Sequence, residues 1–276
     1  MRIAVGARSD TGLVRQKNED RIAVDLSLNL FILCDGMGGQ AAGEVASKLG
    51  VDIILEHNRQ SARNPDLETV GEYEQMFSPV TNRLASSIRL SNQAIYEAAE
   101  QKPSTVGMGS TVVAAQLTGN VLSIAHVGDS RIYLFHEGEL RQLTQDHSLV
   151  MEQVRQGLIS REEAEQSELS NVIMRALGAE PHVQVDLDEL WVNEGDQILL
   201  CSDGLTRMAS DAQIAPVLAE PFTAQQACER LVELANERGG EDNVSVIVVR
   251  LLASPPPSWW KRALRSIAGG NRVWLN

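Results

Sequence analysis

The chain has 276 residues, 43% of them hydrophobic, which is enough for a sizeable core and excludes wholesale disorder. Its 37 Asp and Glu against 24 Lys and Arg give a net charge of −13. So acidic a chain is a poor clamp for nucleic acid, whose phosphates are bound by Lys and Arg. Cys34, Cys201 and Cys228 have no CxxC spacing, so they indicate neither a disulfide framework nor a zinc knuckle. The N-terminus has no apolar run of signal-peptide length, and no stretch reaches the ~18–20 apolar residues that span a bilayer. These features predict a soluble, cytoplasmic protein.

In chain order, residues 29–34 are an apolar run that breaks at Asp35-Gly36, the pattern of a strand ending in a turn. From Ala42 the apolar positions Ala42, Val45, Ala46, Leu49 and Ile53 follow the helical period. Residues 59–81 are polar and read as a long loop. A second helix over 83–100 places Leu84, Ile88, Ile95 and Ala98 on one side. Residues 110–117 and 121–127 are Val-, Ile- and Ala-rich, and Thr118-Gly119-Asn120 between them suits a hairpin. Strands follow at 131–135, 197–201 and 244–252. Residues 145–180 are charged and weakly periodic, with a short helix at the capping box Ser160-x-x-Glu163, and read as an excursion over the sheet edge. A third long helix starts at Thr223, which forms a capping box with Gln226, and stops near Gly239. Helices in groups between β-hairpins argue for an α+β layered fold on an antiparallel sheet core.

One oddity recurs: an Asp beside a buried strand, usually next to Gly. It occurs at Asp35-Gly36, Gly128-Asp129 and Asp203-Gly204, and the pairs Glu19-Asp20 and Glu241-Asp242 add two more acidic strand flanks. A single Asp-Gly is usually a turn. Five in one chain suggest carboxylates held rigidly toward a common point, where mutual repulsion calls for cations. An all-oxygen donor set favours Mg²⁺ or Mn²⁺, and bridging carboxylates suit a two-metal site. The chain has no Walker-type phosphate loop, no HExxH and no GxSxG. Its five His have no ligand-pair spacing, and His126 reads as a structural residue of a strand.

Taken together in order, DTGLVRQKNED (10–20), CDGMGG (34–39), AGEVAS (42–47), GST (109–111), HVGDSR (126–131), LTQDH (143–147), RALG (175–178), CSDGL (201–205) and EDNV (241–244) closely resemble the metal-dependent, 2C-type Ser/Thr protein phosphatases, in their bacterial form. The resemblance covers residues 4–252. It implies one α-β-β-α sandwich domain over 1–253, with 145–180 as a flap that influences substrate choice. It implies that Asp35 bridges two metals with the Gly36 carbonyl completing one of them. Asp203 and Asp242 would hold the first metal, and Glu19 and Asp20 the second. Asp129, with Asp203, would bind a weaker third ion, and Arg15 would clamp the substrate phosphate, for which its planar fork is suited. The implied reaction is attack of a metal-bridging hydroxide on phosphoserine or phosphothreonine, with no phospho-enzyme and therefore no nucleophilic Cys or Ser. Cys34 and Cys201 are then packing residues.

Two departures stand out. Many relatives carry a His at the position of Met37 or of Gln40, and neither side chain here is a useful proton donor, so the general acid is unassigned. The alternative function is a catalytically weak phosphoprotein-binding module of the same fold; retention of Asp35, Asp203 and Asp242 argues against it. The implied partners are Ser/Thr-phosphorylated proteins and a cognate Ser/Thr kinase. Residues 254–276 differ from the rest: they hold Lys261, Arg262, Arg265, Arg272, three of the four Trp and no acid. After a triple Pro, Trp260, Ala263, Leu264 and Ile267 fall at helical spacing, and such a basic amphipathic tail can meet an anionic membrane surface or an acidic partner.

Overall fold

A computed structural model of the chain describes residues 1–253 apart from 39–41, 65, 102–104, 106, 161–162, 165–166, 168 and 170. Gln40 and the tail 254–276 therefore lie outside the described residues. The strands are β1 (Arg2–Asp10), β2 (Arg21–Asp25), β3 (Leu30–Cys34), β4 (Gly36–Met37), β5 (Gly109–Ser110), β6 (Val112–Thr118), β7 (Val121–Val127), β8 (Arg131–His136), β9 (Glu139–Gln142), β10 (Asp186–Trp191), β11 (Gln197–Cys201) and β12 (Val244–Leu252). Two five-stranded antiparallel sheets result, in the orders β1-β12-β11-β8-β9 and β10-β7-β6-β3-β2, with β4 and β5 as a separate pair.

Period-two alternation in the strands builds the layers. In β3, Leu30, Ile32 and Cys34 join one core, while Phe31 and Leu33 point into another. In β12, Val244, Val246 and Val248 face one way, and Ile247, Val249 and Leu251 the other. The central core between the sheets takes Phe31, Leu33, Ile132, Leu134, Ile198, Leu200, Ile247 and Val249, all buried. Each such side chain contributes about 1.5–3 kcal/mol by leaving water. The outer face of the β3 sheet is covered by α1 (Ala42–Arg63) and α2 (Pro79–Gln101). The outer face of the β12 sheet is covered by α5 (Asp211–Ala219) and α6 (Ala224–Glu237). The result is the expected α-β-β-α sandwich.

The Thr223–Gln226 capping box forms, with Gln226 N–H donating to Thr223 Oγ1 at 3.2 Å and Thr223 N–H to Gln226 Oε1 at 2.9 Å. Helix α1 runs on to Arg63 and α2 begins at Pro79, so the polar loop is shorter than 59–81. The sequence stripe on α1 is also off by a fraction of a turn: Val45 is exposed, and the buried face is Ala42, Gly43, Ala46, Ser47, Gly50 and Ile54. Small residues there let the helix lie close to the sheet, so packing distance rather than hydrophobicity sets the face. Within the 145–180 excursion α3 (Leu149–Arg155) is capped by Ser148. The capping box expected at Ser160 forms, Ser160 N–H donating to Glu163 Oε2 at 2.7 Å and Glu163 N–H to Ser160 Oγ at 3.1 Å, and Glu163 and Ala164 are helical.

Antiparallel register fixes which strand ends meet. Arg21 pairs with Cys34, Val112 with Val127, and Cys201 with both Arg131 and Val246. The starts of β2, β6, β8 and β12 and the ends of β3, β7 and β11 therefore lie along one edge of the sandwich. Every acidic strand flank singled out in the sequence is at one of those ends.

Candidate active site

At that edge is a cleft of about 450 Å³, and Arg15, Glu19, Asp35, Gly36, Asp203 and Asp242 line it. Asp20 and Asp129 are not on its wall; they are buried just behind it. Both still act on the cleft electrostatically, because their charges oppose ionisation of Asp35. Glu241, the other half of its acidic pair, is exposed and takes no part.

Two glycines make the convergence possible. A Cβ on Gly36 would lie 2.1 Å from the Gly43 carbonyl oxygen and 2.6 Å from that of Glu19. Only a residue without a side chain lets the end of β3 sit between the start of α1 and the 19–20 segment. Gly204 has the same role in the single helical turn α4 (Asp203–Thr206), where a Cβ would be 2.0 Å from the Asn243 carbonyl oxygen.

Polar contacts then pin the segments to one another. Asn243 Oδ1 accepts from Glu19 N–H at 2.8 Å, and its Nδ2 donates to the Thr11 and Lys17 carbonyls at 2.9 Å each. Thr111 receives Asp35 N–H on its hydroxyl at 3.2 Å and returns its own N–H to the Asp35 carbonyl at 2.8 Å. Ser202 donates its hydroxyl to Asp20 Oδ2 at 2.8 Å. The excursion over 145–180 is closed on itself by the Ser148–Ile173 bridge, is tied to β5 by Ser110–Leu177, and contributes Asn171 and Ile173 to the cleft wall.

These carboxylates are strained electrostatically. Burial is the main cause that raises the acids of Asp20 and Asp129 to about 7, with the Asp203 charge adding in each case. Burial also pushes Asp35 well above the usual carboxylate range, reinforced by Asp20, Asp203, Asp129 and Asp242. Asp203 and Glu19 are raised by burial as well. Asp20 Oδ1, Asp129 Oδ1 and Asp203 Oδ1 are buried acceptors with no hydrogen-bond donor among the described residues. Buried carboxylate oxygens without a protein donor are expensive unless another partner, such as a cation, meets them.

Among the described residues, two arginines pair directly with the site's carboxylates. Arg15 Nη2 lies 2.7 Å from Asp242 Oδ2. Arg207, on the residue that ends α4, places Nη2 2.5 Å from Asp203 Oδ2 and Nη1 3.7 Å from Asp242 Oδ2. Sequence reading missed Arg207. Its signal was there, four residues after Asp203, but only once that Asp-Gly is known to open a helical turn rather than a loop. The roles of Asn243 and Thr111 as organisers were also missed, since uncharged tertiary hydrogen bonds leave no local pattern.

A second cluster lies beside the first. His126, His147 and Asp186 have ligand atoms within 4.8 Å of one another, closer than the spacing of the histidines in sequence had suggested. The rings of His126 and His147 stack at 4.9 Å. Every member is already engaged. His126 Nε2 meets the Gln145 carbonyl at 3.0 Å, His147 Nδ1 accepts from Gly128 N–H at 3.0 Å, and Arg175 Nη1 pairs with Asp186 Oδ1 at 2.5 Å. The cluster fastens the excursion to the end of β7. Cys34, Cys201 and Cys228 are packing residues, buried, with Cys201 and Cys228 thiols pushed up to about 12 by burial.

Residues 12–237 match the family model described as Protein phosphatase 2C. Over 242 residues the chain is 42% identical to the serine/threonine protein phosphatase PstP of Mycobacterium tuberculosis, covering 88% of this chain and 44% of that one. The chain thus spans less than half the length of that relative. It is 38% identical over 245 residues to the serine/threonine phosphatase Stp of Listeria innocua, covering 88% of this chain and 93% of the relative. The solved catalytic domain of PstP in complex with two manganese ions superposes with a TM-score of 0.75 at 39% identity, over 91% of this chain and 99% of that one.

Proposed function

The chain belongs to the protein phosphatase 2C family, and from that premise we propose that it is a metal-dependent phosphatase of phosphoserine and phosphothreonine in proteins. One observation carries the reading. Six carboxylates from distant segments meet at one sheet edge, and three of them carry a buried oxygen with no donor among the described residues. The family members Stp and PstP are named as serine/threonine phosphatases, and PstP has been solved with two manganese ions. The catalytic domain is assigned to residues 1–253.

The donor set fits divalent metal. All the donors are oxygen, which suits Mg²⁺ or Mn²⁺, and the Asp20, Asp129 and Asp203 oxygens without a donor among the described residues are suited to a cation. Asp35 and the Gly36 carbonyl, with Asp203 and Asp242 on one side and Glu19 and Asp20 on the other, would hold two ions. Asp129 and Asp203 would be the donors for any third. When bound, such ions activate water for attack on phosphorus and offset charge on the transferring phosphoryl group.

The rest is done by the chain itself. Arg15 lies across the cleft mouth against Asp242 and is free to turn its fork toward phosphate oxygens once that carboxylate is otherwise engaged. No buried thiol is a usable nucleophile, in keeping with direct hydrolysis. Met37 lines the cleft without a transferable proton, so the general acid stays unassigned. The cleft wall formed by Asn171 and Ile173 gives the 145–180 flap its access to the substrate chain. A Ser/Thr kinase would supply the substrates, and the basic tail 254–276 would meet an anionic membrane or an acidic partner.

Hydrolysis of an aryl phosphate and of a phosphopeptide, with Mg²⁺ or Mn²⁺ and then after chelation, tests this. Activity should require metal, vanish in Asp203→Ala, and favour phosphopeptides over phosphorylated metabolites. In Arg15→Ala, KM should rise more than kcat falls. Wild-type protein inactive with every divalent metal overturns the reading.

A further inference from the structure

We propose that Arg207 is a second arginine for the substrate phosphate, which it holds together with Arg15 once Asp203 and Asp242 serve as metal donors. The inference rests on the metal-dependent reading above and deepens it, by adding a residue that contacts the phosphoryl group.

The backbone fixes where Arg207 stands. Its N–H closes the turn of α4 on the Asp203 carbonyl at 2.8 Å. Leu205 and Ala209 seat that turn, both buried in the core beneath α5 and α6. The Arg207 side chain lines the cleft and is 32% exposed, which leaves it open to a ligand. Arg15 reaches the same cleft from a different segment. Leu13 N–H and Val14 N–H both donate to the Gly240 carbonyl, at 2.8 and 3.3 Å, and so hold that segment in place. Of the described residues that line the cleft, only Arg15 and Arg207 are cationic.

The two guanidinium groups converge on one atom. Arg15 Nη2 is 2.7 Å and Arg207 Nη1 3.7 Å from Asp242 Oδ2. Arg207 Nη2 meanwhile pairs with Asp203 Oδ2 at 2.5 Å. These are the carboxylates assigned above to the first metal. As metal donors they share their charge with the ion, and two neighbouring guanidinium groups that cannot lose their protons are left short of an anion. Because both address the same oxygen position, one ligand can meet both. A phosphoryl group brings about two negative charges and three acceptor oxygens to one point, enough for two forks. A carboxylate on a neighbouring substrate residue brings half that charge, so the reacting phosphate is the better match.

Calorimetric titration of the Mg²⁺-loaded protein with inorganic phosphate tests this without reference to turnover. Arg207→Ala should bind phosphate at least about tenfold more weakly than wild type, as should Arg15→Ala. Arg207→Lys, which keeps the charge and loses the fork, should recover part of the loss. Mn²⁺ affinity, read from the electron paramagnetic resonance signal of the free ion, should not fall in Arg207→Ala, because removing a competing cation leaves Asp203 and Asp242 no poorer as donors. In turnover, KM should rise by a similar factor for an aryl phosphate and for a phosphopeptide. Unfolding followed by circular dichroism in chelator verifies that the variants fold. Unchanged phosphate affinity in Arg207→Ala overturns the proposal. So does a rise in KM confined to phosphopeptides, which would assign Arg207 to a residue flanking the phosphate. Either result leaves the metal-dependent reading standing, whereas wild-type protein that takes up no Mn²⁺ overturns both.

Discussion

Asp20 and Asp25 flank the same short strand and are equally withdrawn from water, 5% and 6% exposed, yet they are shifted in opposite directions. The Ser27 hydroxyl, the Ser27 and Leu28 amides and the Arg59 guanidinium all donate to Asp25, and its acid falls to about 2. Asp20 has the Ser245 and Ser202 hydroxyls to favour its charge, one oxygen has no donor among the described residues, and burial lifts it to about 7. The same contrast divides the molecule as a whole. Asp146 is gripped by Arg131 through Nε and Nη2 and by Gln142, while Asp35 is surrounded by other acids. Both groups have little exposed surface, and the site acids are the more deeply desolvated. What separates a fold-holding carboxylate from a site-forming one is whether the protein itself supplies the positive partner.

Removing a carboxylate from each group should therefore have opposite effects. Asp35→Asn should lower kcat by about 10³-fold or more, since loss of a group that merely supports a ligand already costs ~10–100-fold. In chelator its thermal stability should be unchanged or higher, because the amide keeps the shape of a protonated acid and relieves repulsion from Asp20, Asp203, Asp129 and Asp242. A melting temperature that falls in the metal-free protein would break the comparison. Asp146→Asn leaves Arg131 charged, largely buried and without its two-point partner. Breaking a buried pair in this way costs about 3 kcal/mol or more. Calorimetry should show a melting temperature lower by about 6 °C or more, at about 2 °C per kcal/mol for a chain of this size, with Mn²⁺ stoichiometry unaltered.

The same division explains what could be read before any coordinates. Strand cores such as 121–127, 197–201 and 244–252 were legible to the residue, since a run of β-branched and aliphatic residues bounded by turn formers leaves few alternatives. The short α4 and the edge strands β2, β9 and β10 were not, because their half-exposed, mixed composition looks like loop. The acids of the site were legible for a physical reason: a charged residue placed directly against an apolar strand is an anomaly that demands an account. Arg207 was not, because an arginine on a surface helix is ordinary until Asp203 is known to lie one turn before it. Asn243 and the His126–His147 stack were invisible too, since their partners are distant in sequence and no charge marks them.

The smallest expected effect sharpens the comparison through pH, at the carboxylate the protein has fully satisfied. The folded-state acid of Asp25 is depressed to about 2, below the ordinary value of 3.8, by the Ser27 hydroxyl first and the Arg59 guanidinium after it. A depressed carboxylate stabilises the fold above its unfolded value, and that contribution is lost as pH falls from about 4 through about 2. Arg59 is 43% exposed, so water screens its share and the total is about 1–2 kcal/mol. Asp25→Asn should thus be less stable than wild type by that amount at pH 6, and the gap should close as the pH approaches 2. Urea unfolding of both proteins across this range measures the gap. A difference that is constant with pH would mean that shape, and not charge, makes Asp25 a structural residue, and the distinction from Asp20 would then need another physical basis.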